Sequence, residues 1–291
     1  MIARASQSAT VIAHVVVLVV GAAYAVEVAR QALTTWTVAD MDAYWNAGMR
    51  LRGGEALFPA GVSNWAPTVY HYAPWFAWLW VPISHLPYEA VRVGWSLALV
   101  VASGYVIFRN LALRSMATVG LILIAGANLL AIASGGNVQP LMVLLLLATL
   151  ERRWLGPASI AICASLKLAP AMLVAVYVGR RQWDRVLLST LLTALLMATY
   201  LTVDLTHYPR SLPGSLSLAE LHTGVWILVS IVVFVAAFAV ANKRSPFTWL
   251  VAAVGVLVAS PRLGYIESTY LLAVAPNSLT DGNQVSPQDR R

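Results

Sequence analysis

The chain has 291 residues, of which 59% are hydrophobic and only 11% charged. Soluble domains carry about 25% charged and 45–50% apolar residues, so this chain cannot cover a water-facing surface, which excludes an ordinary soluble enzyme, a disordered chain and a nucleic-acid-binding module. The net charge of +7 falls in short basic clusters between apolar runs, a pattern set by membrane topology, and the length of those runs without alternation predicts helices and not a transmembrane barrel.

In chain order, Arg4 precedes an apolar run from Val11 to Val26. That run is too long for a signal-peptide core and lacks a cleavage site before a soluble domain. It predicts an uncleaved first helix over 11–30 with the N-terminus in the cytoplasm. Residues 31–88 then form a large outer loop. Within it, Tyr72–Leu86 is apolar, rich in Trp and broken by Pro74, Pro82 and Pro87, which reads as an interfacial or re-entrant segment over 74–87. Further helices are expected at 89–108, 115–133, 184–203, 223–241, 246–260 and 264–276. Three short segments, 139–150, 155–166 and 168–179, are near 12 residues each, against roughly 20 for a full span. Segments of that length need protein around their ends, because lipid satisfies no backbone groups. Basic clusters at Arg109/Arg114, Arg152/Arg153, Arg180/Arg181/Arg185 and Lys243/Arg244 mark the cytoplasmic side. A second outer loop covers 204–222. The expectation is an all-α polytopic membrane protein with about nine or ten crossings. It forms one integral-membrane domain over 1–276, followed by a polar, disordered tail at 277–291.

In so apolar a chain, each ionisable residue near membrane depth is a site candidate. Glu151 and Asp184 stand beside cytoplasmic arginines and read as solvated pairs. Asp40 and Asp42 begin a stretch Asp40-Met41-Asp42-Ala43-Tyr44 on the outer side. If this is a helix start, the acids complement its dipole and Asp40 shares a face with Tyr44. The acids are then either capping groups or a general base at the water–membrane boundary. His71 lies between Tyr70 and Tyr72, a headgroup contact or part of an aromatic belt. Asn137 and Gln139 at a helix junction either hydrogen-bond a sugar or phosphate or cap a helix. Lys167 is the one lysine within the apolar region; its ammonium requires a partner, and a lipid phosphate or a structural carboxylate would serve. Glu267, Arg262 and Tyr265 make a last outer cluster. The single cysteine, Cys163, cannot form an intrachain disulfide. No metal-ligand spacing, Walker motif, Gly-x-Ser-x-Gly or dinucleotide fingerprint occurs, so neither a metal nor a soluble cofactor is expected.

The order of these elements resembles glycosyltransferase family 87, the polyprenol-phosphate-mannose-dependent mannosyltransferases of the GT-C superfamily. The resemblance rests on Asp40-x-x-x-Tyr44 in the first outer loop, Gly53-Gly54, Tyr70-His71-Tyr72-Ala73-Pro74, Gly136-Asn137-Val138-Gln139, Lys167-x-x-Pro170, Arg180-Arg181-Gln182-Trp183 and Ser260-Pro261 with Tyr265. It implies a GT-C-like bundle in the plasma membrane. Such an enzyme moves a hexose, mannose foremost, from a polyprenyl-phosphate donor to a glycolipid or glycan acceptor on the outer face, without a cofactor. By motif position Asp40, with Asp42 as rival, is the implied general base. Lys167 and His71 would face the donor phosphate. Tyr44, Tyr72, Asn137, Gln139, Arg262, Tyr265 and Glu267 would line the substrate site. The alternatives are a transporter or lipid flippase, with the short helices framing a path, and an inactive, truncated family member.

Overall fold

A computed structural model describes residues 15–279 apart from 17, 29, 32–33, 35, 62–68, 114–115, 210–218, 220–221 and 261–265. These residues are mainly helical and contain no strand. A first apolar helix, α1 (Leu18–Val28), is followed by α2 (Ala39–Arg52), α3 (Pro74–Ile83) and the long α4 (Tyr88–Leu111). Next come α5 (Met116–Leu121), a π-helical turn at Ile122–Gly126, α6 (Ala127–Ser134), α7 (Gln139–Thr149) and α8 (Leu155–Leu166). A 3-10 turn at Ala169–Leu173 leads into α9 (Val174–Gly179), and α10 (Trp183–Met197) ends in a 3-10 turn at Ala198–Thr202. The chain continues with α11 (Thr223–Asn242), α12 (Thr248–Ala259), a 3-10 turn at Glu267–Thr269 and α13 (Tyr270–Leu279).

Among the described residues, three helical stretches are long and apolar enough to cross a membrane: Tyr88–Leu111, Trp183–Thr202 and Thr223–Asn242. Only 28%, 6% and 11% of their apolar windows are buried within the protein. Leu187, Leu191 and Leu195 on α10, and Leu228, Ile231, Val232 and Val235 on α11, are exposed. Water would not tolerate apolar surface of this extent, whereas lipid would. The short helices behave oppositely. Helix α8 buries most of its 12 residues, and α7 and α12 are likewise deep. They form the centre, packed against α4, α10, α11 and α13. Surrounding protein therefore compensates for their short length.

Several expected boundaries shift. The helix expected over 115–133 contains the π turn, which adds a residue to the spiral before Ala127. The segment expected over 168–179 starts as a 3-10 turn at Ala169–Leu173, with Pro170 in the first turn, where a missing N–H costs least. The last expected helix, 264–276, starts later and runs through Pro276 to Leu279. The interfacial segment 74–87 folds as α3, with Pro74 in its first turn, and buries Phe76, Ala77 and Trp80 while Trp78 and Leu79 face outward. The far tail, residues 280–291, lies outside the described residues.

Helix α3 docks on α2 at close range: a Cβ on Gly48 would lie 2.6 Å from Trp80 O. The rings of Tyr70, Tyr72, Phe76, Trp80 and Trp95 all contact Tyr44 edge-on or tilted, at centroid distances of 5.0–6.4 Å. Such pairs add about 0.5–1.5 kcal/mol each beyond area burial. At the basic end, Glu151 accepts two hydrogen bonds from Arg180 Nη1, both at 3.1 Å, and one from Trp249 Nε1. This ties the α7–α8 turn to α9 and α12. Arg153 pairs with Asp184 at 3.5 Å, so both expected acid–arginine pairs form. Glu27 pairs with Arg30 at 2.7 Å.

Candidate active site

The site is built where the start of α2 meets the loop between α6 and α7. Val38 N–H donates to Ser134 O (3.2 Å) and Asp40 N–H to Gly135 O (2.9 Å). Two features of the sequence permit this contact. Gly136 has φ +77°, and a Cβ there would stand 3.0 Å from Met41 N and Val38 Cα; only glycine meets both demands. Val38 itself adopts φ 46°, ψ 28°, a left-handed conformation that a β-branched residue adopts only under strain. The strain lies two residues before Asp40, where the α6–α7 loop over-determines the backbone.

This pairing brings Asn137 beneath Asp40. Asn137 Nδ2 reaches Asp40 Oδ2 (3.2 Å) and Tyr72 OH (2.8 Å). Its Oδ1 accepts from Gln139 N–H (2.9 Å), capping α7. Tyr44, one turn beyond Asp40 on α2, accepts from Val138 N–H at 3.3 Å. Burial pushes the Asp40 carboxyl above the usual carboxylate range, while the Asn137 bond and the Lys167 charge pull it back. Lys167 is the extended residue that ends α8, and its ammonium acts on Asp40 across the site. Burial first, and the Asp40 charge second, push Tyr72 up, so its hydroxyl stays protonated.

A second polar layer lies alongside. Gln139, fully buried, donates from Nε2 to Thr269 Oγ1 (3.1 Å) and accepts at Oε1 from Tyr270 OH (3.3 Å). Glu267, 8% exposed, sits on the 3-10 turn that carries Thr269, and its charge reaches Tyr72. Asp40, Tyr44, Tyr72, Asn137, Gln139, Lys167 and Glu267 therefore converge on one region.

Asp42 does not join them. It faces α4 and accepts a hydrogen bond from Tyr88 OH, beside Trp45 stacked edge-on against Tyr88 at 5.7 Å. His71 precedes Tyr72 in the same loop, and its backbone carbonyl accepts from Tyr208 OH at 3.4 Å. Arg262 and Tyr265 lie outside the described residues.

The sequence reading missed the supports. Trp75 Nε1 donates to Ser165 Oγ (3.1 Å), two residues before Lys167, and Trp75 N–H donates to Thr199 Oγ1 (3.3 Å). This fixes the aromatic loop against α8 and the end of α10. Trp95 Nε1 donates to Gly136 O at 2.7 Å. Thr269 and Tyr270 hold Gln139. The nearest signal was their position two and three residues after Glu267, which places them on the same short helical turn. Among the described residues, no three His, Cys, Asp or Glu side chains are grouped to hold a metal ion.

No curated protein and no solved structure matches the chain. Residues 70–210, which carry the aromatic loop, Asn137, Gln139 and Lys167, match the family model of Glycosyltransferase family 87, a match that supports a membrane glycosyltransferase.

Proposed function

We propose that the protein transfers a hexose, mannose in the first instance, from a polyprenyl-phosphate donor to a glycolipid or glycan acceptor. Transfer takes place on the outer face of the plasma membrane, with the chain to residue 276 acting as one membrane domain of nine or ten crossings. The observation that carries this reading is the half-buried Asp40 carboxylate, bonded to Asn137 and under the influence of the Lys167 ammonium.

Asp40 is the general base. An acceptor hydroxyl attacks the anomeric carbon of the donor, and the Asp40 carboxylate takes its proton. The bond from the anomeric carbon to the phosphate oxygen breaks, and its electron pair leaves with the polyprenyl phosphate. Lys167 stabilises the charge that develops on that phosphate, an electrostatic contribution largest where water is excluded. A carboxyl with a raised pKa suits a base that works near neutral pH. With Asp40 as the base and Glu267 on the acceptor side, transfer is one inverting displacement; a covalent glycosyl intermediate would need a carboxylate nucleophile about 5–5.5 Å from the acid–base group. Asn137 and Tyr72 orient Asp40, while Gln139 and Glu267 border the acceptor side. Asp42, committed to Tyr88, holds α2 on α4.

The test supplies membranes with labelled polyprenyl-phosphate-mannose and compares wild type with Asp40→Asn and Lys167→Ala. Both variants should lose transfer by about 10²-fold or more. Undiminished transfer by Asp40→Asn would remove Asp40 from the mechanism.

A further inference from the structure

Among the described residues, four helix ends close with the same two hydrogen bonds, one N–H to the carbonyl three residues back and the next N–H to the carbonyl five back. They end α2, α6, α9 and α11, and each places one residue in the left-handed region. That position prefers glycine, because a Cβ there crowds the following carbonyl. Glycine holds it after α2 and α6, at Gly54 (φ +72°) and Gly136 (φ +77°). Arginine holds it after α9 and α11, at Arg181 (φ 56°) and Arg244 (φ 53°). Attraction to the helix dipole does not account for the exchange, since a basic residue within the last turn supplies it without strain.

The two exceptions are neighbours. Gly179 seats the end of α9 on the end of α11: a Cβ there would lie 2.5 Å from Phe238 O and 3.2 Å from Asn242 N. Arg181 and Arg244 each follow that contact by two residues. Both are exposed, as is Lys243. Among the described residues, none of these three side chains has a hydrogen-bonding or ion-pair partner. The acids on the adjoining turns are already taken, Glu151 by Arg180 and Asp184 by Arg153. Trp154, Trp183 and Phe247 on the same turns are exposed, and Leu187 on α10 and Val235 on α11 continue an exposed apolar surface. Aromatic rings beside basic residues, next to an apolar belt, mark the headgroup level of a bilayer.

We propose that Arg181 and Arg244 together hold the phosphate of an anionic phospholipid headgroup at the joined ends of α9 and α11. A guanidinium forks onto phosphate oxygens with two hydrogen bonds, and Lys243 adds a third positive charge. The acyl chains lie along the apolar surface that Leu187 and Val235 expose. Backbone strain at both arginines is retained because glycine, the relaxed choice, would leave the phosphate without its donors. The site is independent of the transferase reading.

The test compares the full chain with the double variant Arg181→Gly/Arg244→Gly in nanodiscs of phosphatidylcholine, alone or with added phosphatidylglycerol. Thermal unfolding is read in each, and native mass spectrometry counts the phosphatidylglycerol retained. In phosphatidylcholine the double variant should unfold roughly 2–4 °C above wild type, because glycine relieves two left-handed residues. With phosphatidylglycerol the order should reverse, and the variant should retain about tenfold less of that lipid, the loss expected of a charged hydrogen bond. The charge-matched variant Arg109→Gln/Arg152→Gln should retain as much as wild type. Inorganic phosphate added to phosphatidylcholine nanodiscs should not reproduce the stabilisation. Equal retention by wild type and the glycine variant, an equal loss in the charge-matched variant, or full stabilisation by inorganic phosphate overturns the proposal. So does a glycine variant that unfolds below wild type in phosphatidylcholine, since the arginines would then serve the fold and not a lipid.

Discussion

Replacing Gly136 by alanine tests whether the α6–α7 loop sets the position of Asp40. At φ +77° the new residue pays the left-handed penalty of about 1–2 kcal/mol. The added Cβ also lies 3.0 Å from Met41 N and Val38 Cα, backbone atoms that cannot rotate away. Forcing an atom into packed space costs a further 1–3 kcal/mol or so, giving about 2–5 kcal/mol in total. Gly54 is the control. Its φ is +72°, but nothing stands within 4 Å of a Cβ, so Gly54→Ala should cost only the first term, about 1–2 kcal/mol. Thermal unfolding in detergent and the transfer rate at saturating donor distinguish the two. Gly136→Ala should unfold at the lower temperature and also lose transfer, because the loop carrying Asn137 must move away from Asp40. Gly54→Ala should keep its transfer rate. If the two variants unfold alike and transfer alike, the loop does not position the carboxylate and the argument from geometry is wrong.

Other outcomes follow from the same structure. The acid limb of the transfer rate should lie above the usual carboxylate range, since the base must be ionised and burial raises Asp40. Lys167→Gln removes a charge that favours the ionised form, so it should move that limb to higher pH as well as slow the reaction; a shift to lower pH would contradict the sign of the interaction. Glu151→Ala should lower the unfolding temperature, because the indole N–H of Trp249, fully buried, loses its acceptor, a penalty of about 1–3 kcal/mol. Glu151→Gln keeps an acceptor and should cost less, and neither variant should change the donor KM. Cys163 is buried, so single cysteines can report topology: Asp204→Cys should react with an impermeant thiol reagent from outside the cell, and Arg181→Cys only after permeabilisation. The reverse pattern would invert the orientation on which the outer-face site depends.

Much of the helix plan was legible in the residues themselves. The segment expected over 155–166 is α8 to the residue, and the helix expected over 223–241 is α11 with one residue added. Hydropathy and proline position report on a residue's immediate neighbours, and those neighbours decide where a helix in lipid starts and stops. The central location of the short helices was also foreseeable, because bare ends in lipid would leave backbone groups unsatisfied.

The site was legible only as a set of separate candidates. The sequence left Asp40 and Asp42 as rivals, although two helical positions differ by about 200° around the axis and cannot both face one cluster. Which of them faces it depends on what packs against α2. Asn137, 97 residues from Asp40, occupies one side, and Tyr88, 46 residues from Asp42, occupies the other. The supports from Trp75, Trp95 and Tyr270 were hidden for the same reason, since each is an indole or phenol whose sequence neighbours give no indication of its partner. The amino-acid sequence by itself determined a helical membrane protein, the place of most of its helices and the few residues polar enough to matter. Tertiary packing decided which carboxylate meets the amide and the ammonium, because hydrogen bonds and local charge depend on distance through space, and local sequence pattern does not encode that distance.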